Sequence, residues 1–222
     1  MAHPEPFKQV DATRTRGIRL TLVLLVSFVV VLLAGFVYLM VKPKLLSDAA
    51  LRANGTFLYE KPRNIGEFAL TDEQGEPFTP EDLQGKWSLL FFGFTFCPDV
   101  CPTTMAQLND FYGKLKPELA AQTQVVMVSV DPARDTVPKL KEYVHYFNPA
   151  FRGVTGEFVA LHTFATSLNI PFTKAPGGGE NYLVEHSGNI AIINPAGHYV
   201  GFFKAPHQLD KLLQSYQTVI AR

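Results

Sequence analysis

The longest apolar run in the sequence extends from Leu20 to Val41 and reads LTLVLLVSFVVVLLAGFVYLMV. It contains no charged residue and lies between Arg19 and Lys42. About 20 apolar residues in a helix are enough to cross a hydrocarbon core of roughly 30 Å. A core helix of a small soluble domain is disfavoured, because this run is apolar on every face. The sequence therefore predicts a transmembrane helix over residues 20–41.

The same run is predicted to stay in the mature protein as a membrane anchor. A cleaved signal peptide has a shorter apolar core and a small-residue cleavage site. The segment Leu33-Ala34-Gly35 resembles the start of a lipoprotein signal, but Phe36 stands where that signal needs a cysteine. We therefore interpret the run as an uncleaved anchor.

Basic residues on the two sides of the span predict its orientation. Four precede it and three follow it: Lys8, Arg14, Arg16 and Arg19, then Lys42, Lys44 and Arg52. Because cytoplasmic flanks carry the excess of Lys and Arg, we expect residues 1–19 in the cytoplasm and residues 42 onward outside. The N-terminal stretch contains acidic residues and prolines, unlike a mitochondrial transit peptide. The expected location is a bacterial inner membrane with a periplasmic C-terminal domain.

The residues after the span are expected to form a tether, 42–60, and one domain, 61–222. The chain has 20 basic and 20 acidic residues, and this balance indicates no nucleic-acid partner. Its two cysteines are too few for a disulfide-stabilised scaffold.

Hydrophobic patterning in the domain predicts strands alternating with helices. Alternation around Asp72-Glu73-Gln74-Gly75 predicts a β-hairpin, and the apolar runs Ser88–Phe94 and Gln124–Val130 predict buried strands. Helical spacing predicts helices from Thr103, over Thr136–Phe147 and over Gly156–Leu168. A second hairpin is predicted from Asn189–Asn194 and Tyr199–Phe203. A last helix is predicted to begin at His207. This order predicts an α/β fold, with one mixed sheet flanked by helices in a thioredoxin-like arrangement.

The two cysteines, Cys97 and Cys101, lie where the first central strand ends and its helix begins, in FFGFTFCPDVCPTTM. Cysteines at i and i+4 on a helix have Cβ atoms about 5–6 Å apart, against about 3.8 Å in a relaxed disulfide. A disulfide can still form if Cys97 lies in the preceding loop. Two thiolates can instead bind a soft cation such as copper(I), whereas copper(II) needs an imidazole as well. The residues leave open a structural disulfide, a redox pair and a metal site.

Histidine and aspartate side chains are the candidate partners of the cysteines. Of the six histidines, His186 lies in the loop LVEHSGN, which leads into a predicted strand whose start can face the cysteines. Surface or capping roles are the default for any one histidine. Asp131 follows a predicted strand and is expected either to orient a metal ligand or to have a structural role. Asp135 or Thr136 is interpreted as the cap of the following helix.

Three segments of the sequence resemble the Sco (also called SenC) family of membrane-anchored, thioredoxin-fold, copper-binding proteins. They are FFGFTFCPDVCPTTM, SVDPARDTVPKLKEYVHYF and YLVEHSGNIAIINPAGHYVGFF. The resemblance covers roughly residues 57–222 and implies that Cys97, Cys101 and His186 are copper ligands. It also implies a role in assembling the binuclear copper centre of cytochrome c oxidase subunit II, with a periplasmic copper donor or thiol reductant as a further partner.

Three functions are consistent with these residues. The first is a copper metallochaperone, which is not an enzyme and binds copper(I), copper(II) or both. The second is a membrane-tethered thiol–disulfide oxidoreductase that uses Cys97 and Cys101 alone to reduce the cysteines of the oxidase copper site. The third is a structural module with a permanent disulfide, which is disfavoured because closing so short a loop contributes little stability.

Overall fold

The structure is a computed structural model that describes residues 12–41, 45–177 and 179–222. The chain divides after Lys44 into two compact units. The seven α-helices of the described residues are α1 (Ala12–Val41), α2 (Asp48–Ala53), α3 (Val100–Lys114), α4 (Pro117–Ala121), α5 (Val137–Phe147), α6 (Phe158–Ser167) and α7 (Leu209–Ile220).

The first unit contains the helix α1. Its segment Gly17–Met40 comprises 24 residues and is long and apolar enough to cross a membrane. At 1.5 Å per residue this segment is about 36 Å long, and its side chains are exposed, as expected of a surface that faces lipid rather than a protein core. The prediction of one N-terminal apolar helix is confirmed.

The second unit is built on an eight-stranded mixed sheet. The strands are β1 (Thr56–Asn64), β2 (Leu70–Asp72), β3 (Pro77–Phe78), β4 (Trp87–Gly93), β5 (Thr123–Ser129), β6 (Arg152–Thr155), β9 (Ile190–Ile193) and β10 (His198–Phe203). Their order across the sheet is β1-β10-β9-β4-β5-β6-β2-β3. A separate two-stranded hairpin consists of β7 (Phe172–Lys174) and β8 (Val184–His186).

The central strand β4 is parallel to β5 and antiparallel to β9. Its residues from Ser88 to Gly93 are all buried, as expected of a strand that is covered on both faces. Successive side chains point to opposite faces. Phe92 meets Phe164 of α6, with ring centroids 5.9 Å apart, while a Cβ atom at Gly93 would contact Phe91 and Cys101 of α3. Helices α3 and α6 therefore cover opposite faces, which confirms the predicted mixed sheet flanked by helices.

The predicted tether differs from the structure. Residues 42–44 lie outside the described part of the chain, but residues of the range 45–60 form α2 and most of β1, and β1 pairs with β10. Leu51 of α2 is buried, and the side chain of Ser47 caps this helix by accepting a hydrogen bond from the amide of Ala50. The folded unit therefore begins before residue 61, because apolar residues of this segment pack on the edge of the sheet.

Strand β6 and the hairpin β7–β8 are not predicted from the sequence. These strands have only three or four residues each, too few for an alternating pattern to be recognised. The helix predicted to begin at His207 begins instead at Leu209, with Gln208 at its N-cap. His207 consequently lies in the connection between β10 and α7.

Candidate metal centre

Cys97 and Cys101 are positioned by the turn from β4 into α3. Cys97 precedes the helix, and its amide donates to the carbonyl oxygen of Phe94 at 3.2 Å. Cys101 lies in the first turn of α3, and its amide donates to Sγ of Cys97 at 3.4 Å. Pro98 interrupts the amide ladder between them and restricts the backbone. Asp99 occupies the N-cap position, but its side chain makes no capping hydrogen bond.

Both thiols are free in this structure. The thiol of Cys101 is fully buried, whereas Cys97 is half-buried. The two residues therefore differ in their access to solvent and to a second protein.

His186 ends β8 and points its Nε2 atom at Cys101, 3.5 Å from Sγ. Its Nδ1 atom lies 3.1 Å from the carbonyl oxygen of Ser187. Because a carbonyl oxygen only accepts, the hydrogen of the neutral ring is assigned to Nδ1. The Nε2 lone pair is then directed at the sulfur and is available as a metal ligand or as an acceptor for the thiol hydrogen.

The three ligand atoms of Cys97, Cys101 and His186 all lie within 4.8 Å of one another. Metal–sulfur and metal–imidazole bonds of about 2.0–2.3 Å would place three ligands in a trigonal plane about 3.5–4.0 Å apart. The observed spacing fits one ion after small side-chain movements. Two sulfurs and one imidazole select soft or borderline metals such as copper and zinc over Mg²⁺ or Ca²⁺.

Burial governs the electrostatics of the centre. It raises the pKa of the Cys101 thiol well above its usual range, and the neighbouring charges of Cys97 and Asp135 act in the same direction. Burial also lowers the pKa of His186. Without a cation the site therefore favours a neutral Cys101 thiol beside a neutral imidazole. A bound cation would reverse the preference of the thiol, because its charge stabilises a thiolate.

Aromatic rings form one wall of the centre. The ring of Phe94 meets His186 edge to face at a centroid distance of 5.9 Å, and Phe91 lies 6.2 Å away. Phe91 and Phe94 are buried, whereas Phe96 is exposed and lies under Nζ of Lys139 at 3.1 Å from the ring centroid. Phe94 therefore shields the imidazole from water, while Phe96 belongs to the protein surface.

The two aspartates after β5 have different surroundings. Asp131 accepts hydrogen bonds from Arg134 and from the hydroxyl of Tyr182, so it connects to the segment between β7 and β8. Asp135 is buried and accepts hydrogen bonds from the amide and hydroxyl of Thr95 and from Ser129. Asp135 thus fixes the turn two residues before Cys97.

Of the two residues predicted as possible helix caps, Thr136 occupies the N-cap position of α5 and Asp135 does not. The carboxylate is instead required by the buried turn, whose amide and hydroxyl groups need an acceptor. Its position after a buried strand was the available signal, but the sequence could not separate it from Asp131.

Several known proteins are similar to this chain. A model of the SCO1/SenC family matches residues 58–221. A protein from Stutzerimonas stutzeri whose name describes it as copper-binding is 40% identical over 165 residues, which cover 74% of this chain and 81% of that protein. Protein SCO1 homolog 1 of Arabidopsis thaliana mitochondria is 36% identical over 147 residues, which are 66% of this chain but only 44% of that longer protein.

A solved structure points to the same family. The crystal structure of Arabidopsis thaliana ScoI with copper bound superposes with a TM-score of 0.66 and 34% identity, covering 71% of this chain and 98% of the other. The family model spans well over half of the chain, including both cysteines and His186. The chain therefore belongs to the SCO1/SenC family.

Proposed function

We propose that this protein binds copper through Cys97, Cys101 and His186 and helps to assemble the binuclear copper centre of cytochrome c oxidase subunit II. The observation that carries the proposal is the convergence of the three ligand atoms within 4.8 Å of one another. Copper is the cargo rather than a permanent cofactor. The copper-bound Arabidopsis relative supports this choice of metal.

The unequal exposure of the two thiols suits the delivery of a metal. Cys101 and His186 hold the ion from the buried side, and Cys97 lies on the side that a partner can approach. A partner thiolate can replace Cys97 first and then the remaining ligands, so that no free copper ion is released. The ligand set suits either oxidation state of copper, because two sulfurs bind copper(I) and the added imidazole also suits copper(II).

The apolar helix is proposed to anchor the protein in a bacterial inner membrane. The segment Gly17–Met40 supplies the necessary length. Residues 1–19 would then lie in the cytoplasm and the folded unit in the periplasm, where a copper donor or a thiol reductant could supply it. Attachment to the same membrane as the oxidase raises the effective concentration of the folded unit at its client.

The second candidate function is the reduction of a client disulfide by the same cysteines. The half-buried thiol of Cys97 can attack, and Cys101 can then resolve the mixed disulfide to leave Cys97–Cys101 oxidised and the client reduced. A periplasmic thiol reductant must then restore the dithiol. The difference in exposure of the two sulfurs favours this assignment of roles.

Copper titration of the full chain in detergent tests the main proposal. The reduced protein is titrated with copper(I) against a competing chelator, beside His186→Ala and Cys97→Ser. We expect one ion per chain in the wild type and much weaker binding in both variants. Unchanged tight binding in either variant would remove that residue from the ligand set. Retained disulfide exchange in a copper-deficient His186→Ala protein would separate the two functions.

A further inference from the structure

The connection between β8 and β9 determines where His186 can reach. His186 ends the separate hairpin β7–β8, and Ile190 begins β9 in the central sheet, so only residues 187–189 join them. Gly188 stands in the middle of this connection and, lacking a Cβ atom, has the widest choice of backbone angles. Contacts that restrain Gly188 therefore also restrain the imidazole.

A second histidine supplies such a contact. Nε2 of His207 lies 2.9 Å from the carbonyl oxygen of Gly188. Because the carbonyl only accepts, His207 carries a hydrogen on Nε2 and donates it. Burial lowers the pKa of His207, so the ring is neutral at pH 7 and its Nδ1 atom is unprotonated. This tautomer is the reverse of the one assigned to His186.

Two further hydrogen bonds fix the positions of the segment that contains His207 and of the connection 187–189. The amide of Ala205 donates to Oδ1 of Asn189 at 3.1 Å. The side chain of Gln107 donates to the carbonyl oxygen of His207 at 3.3 Å. Gln107 belongs to α3, the helix that carries Cys101, and lies six residues, or about 9 Å along the helix axis, beyond it.

Close packing accompanies these hydrogen bonds. A Cβ atom placed at Gly188 would lie 3.2 Å from Cβ of Ala205 and 3.8 Å from Cγ1 of Val100. The connection thus lies directly against the segment that contains His207 and against the first residue of α3. A continuous set of contacts joins the helix of Cys101 to the chain that carries His186.

We infer that His207 is a positioning residue of the copper site, which holds the carbonyl of Gly188 and thereby keeps the imidazole of His186 directed at Cys101. His207 does not itself bind the metal in this arrangement. The inference rests on the proposed function for its effect on copper, but the restraint on residues 187–189 exists without copper. Loss of a group that orients a ligand typically lowers metal affinity about 10–100-fold.

Four variants of the full chain in detergent test the inference. His207→Leu removes the donor, and His207→Asn keeps polarity but cannot place an N–H at the position of Nε2. His207→Gln can place its amide N–H there. His198→Leu is the matched control, because His198 is exposed at the start of β10. Circular dichroism establishes that each variant is folded.

Two readouts are measured on each variant. One is hydrogen exchange in the copper-free protein at a peptide covering residues 183–190. The other is copper(I) affinity, together with the visible and electron paramagnetic resonance spectra of the copper(II) form. We expect His207→Leu and His207→Asn to speed exchange about fivefold, the effect of losing one neutral hydrogen bond. We also expect about 10–100-fold weaker copper binding and altered copper(II) spectra, with His207→Gln and His198→Leu close to wild type.

The outcomes separate this inference from the proposed function. Unchanged exchange in both His207→Leu and His207→Asn would overturn the inference, and so would loss of copper affinity that His207→Gln fails to restore. Should His207→Leu fail to fold, the comparison of the two amide variants decides the question. If wild-type protein binds no copper, the proposed function fails, while the exchange measurement still decides whether His207 restrains the connection.

Discussion

The Sγ atom of Cys101 lies 3.5 Å from Nε2 of His186, although 85 positions separate the two residues in the chain. The sheet accounts for this proximity. Strand β4 pairs antiparallel with β9, and Phe91 is the register partner of Ile190. The end of β4, which leads to the cysteines, therefore meets the start of β9, which follows His186. The site is a consequence of one strand pairing.

Removing this imidazole should weaken copper binding while leaving the dithiol intact. For His186→Ala we expect at least about 100-fold lower copper(I) affinity, because loss of a ligand should exceed the 10–100-fold effect of losing a group behind a ligand. Copper(II) binding should be lost, since two sulfurs alone do not satisfy that ion. Chelator competition and copper(II) spectra measure both effects.

The control for that experiment is His198→Ala, a substitution at an exposed histidine at the start of β10. It should bind copper as the wild type does. Equal affinities of the His186 and His198 variants would contradict the assignment of His186 as a ligand. Thiol titration should find two reactive cysteines in each unfolded variant, which shows that the dithiol has not been lost.

The two cysteines should differ strongly in their reaction with an alkylating reagent. Cys97 is half-buried, whereas Cys101 is fully buried and its pKa is raised by that burial. Since the thiolate is the nucleophile, iodoacetamide at pH 8 should modify Cys97 at least about 10-fold faster in the reduced, copper-free protein. Peptide mass spectrometry after timed quenching measures the two rates.

Denaturant provides the control for the alkylation experiment. In the unfolded chain both thiols are exposed, and their rates should agree within a small factor. Faster modification of Cys101 than of Cys97 in the folded protein would show that the resolving and attacking roles proposed here are reversed.

The sequence predicts the centre of this fold better than its edges. Strands β4 and β5 are recognisable because each contains four consecutive large apolar residues, Leu89 to Phe92 and Val125 to Val128, all of which are buried. The edge strand β1 is not recognisable from the sequence, because its start is buried and its end is exposed. Its pairing with β10 also shifts register between Leu58 and Arg63. An edge strand has only one neighbour, so its pattern depends on what happens to cover it.

In the candidate site, the features set by local sequence are predictable and those set by long-range contacts are not. The two cysteines and the start of α3 follow from local spacing, and their proximity is fixed by the short turn from β4 into α3. The roles of Asp131 and Asp135 depend on which carboxylate turns toward Thr95, which is 40 positions from Asp135. The contribution of His207 depends on a contact with Gly188 across 19 positions. Such contacts are set by tertiary packing and leave no periodic signal.

The buried carboxylate of Asp72, at the end of β2, should make the free energy of unfolding depend on pH. Burial alone would raise the pKa of Asp72, but hydrogen bonds from the amides of Glu76 and Gln74, together with Arg152, outweigh it and the pKa is lowered. A lowered folded-state pKa means that the stabilisation is complete above the unfolded value of about 3.9. It is lost as the pH falls from there through the folded-state pKa.

Asp72→Asn should therefore destabilise the folded unit by about 1–2 kcal/mol at pH 7, since the charge-assisted bond to Arg152 is lost. The difference from wild type should shrink at pH 3. Urea unfolding followed by the fluorescence of Trp87, the single tryptophan, measures it. The exposed Asp110→Asn substitution on α3 should change the free energy of unfolding by less than about 0.5 kcal/mol. A pH-independent difference for Asp72→Asn would contradict the ionic origin of the effect.

Gly93, the last residue of β4, should not tolerate substitution by a larger residue, because its backbone lies against the buried Cys101. A Cβ atom at Gly93 would lie 2.8 Å from Cε1 of Phe91 and 3.0 Å from Sγ of Cys101. Phe91 is fully buried and cannot withdraw, so Gly93→Ala should push Cys101 away from His186. We expect a loss of about 1–3 kcal/mol in the free energy of unfolding, as for other overpacked cores, and weaker copper(I) binding.

A second glycine in the adjoining helix separates the steric effect from the general effect of adding a methyl group. At Gly113 of α3 nothing lies within 4 Å of an added Cβ atom. Gly113→Ala should therefore stabilise the protein by about 0.5 kcal/mol, because alanine loses less conformational entropy in a helix than glycine, and copper affinity should stay at the wild-type value. Urea unfolding and chelator competition on both variants test this pair. If Gly93→Ala matched Gly113→Ala in both measurements, the close approach of Gly93 to the Cys101 sulfur would have no part in shaping the site.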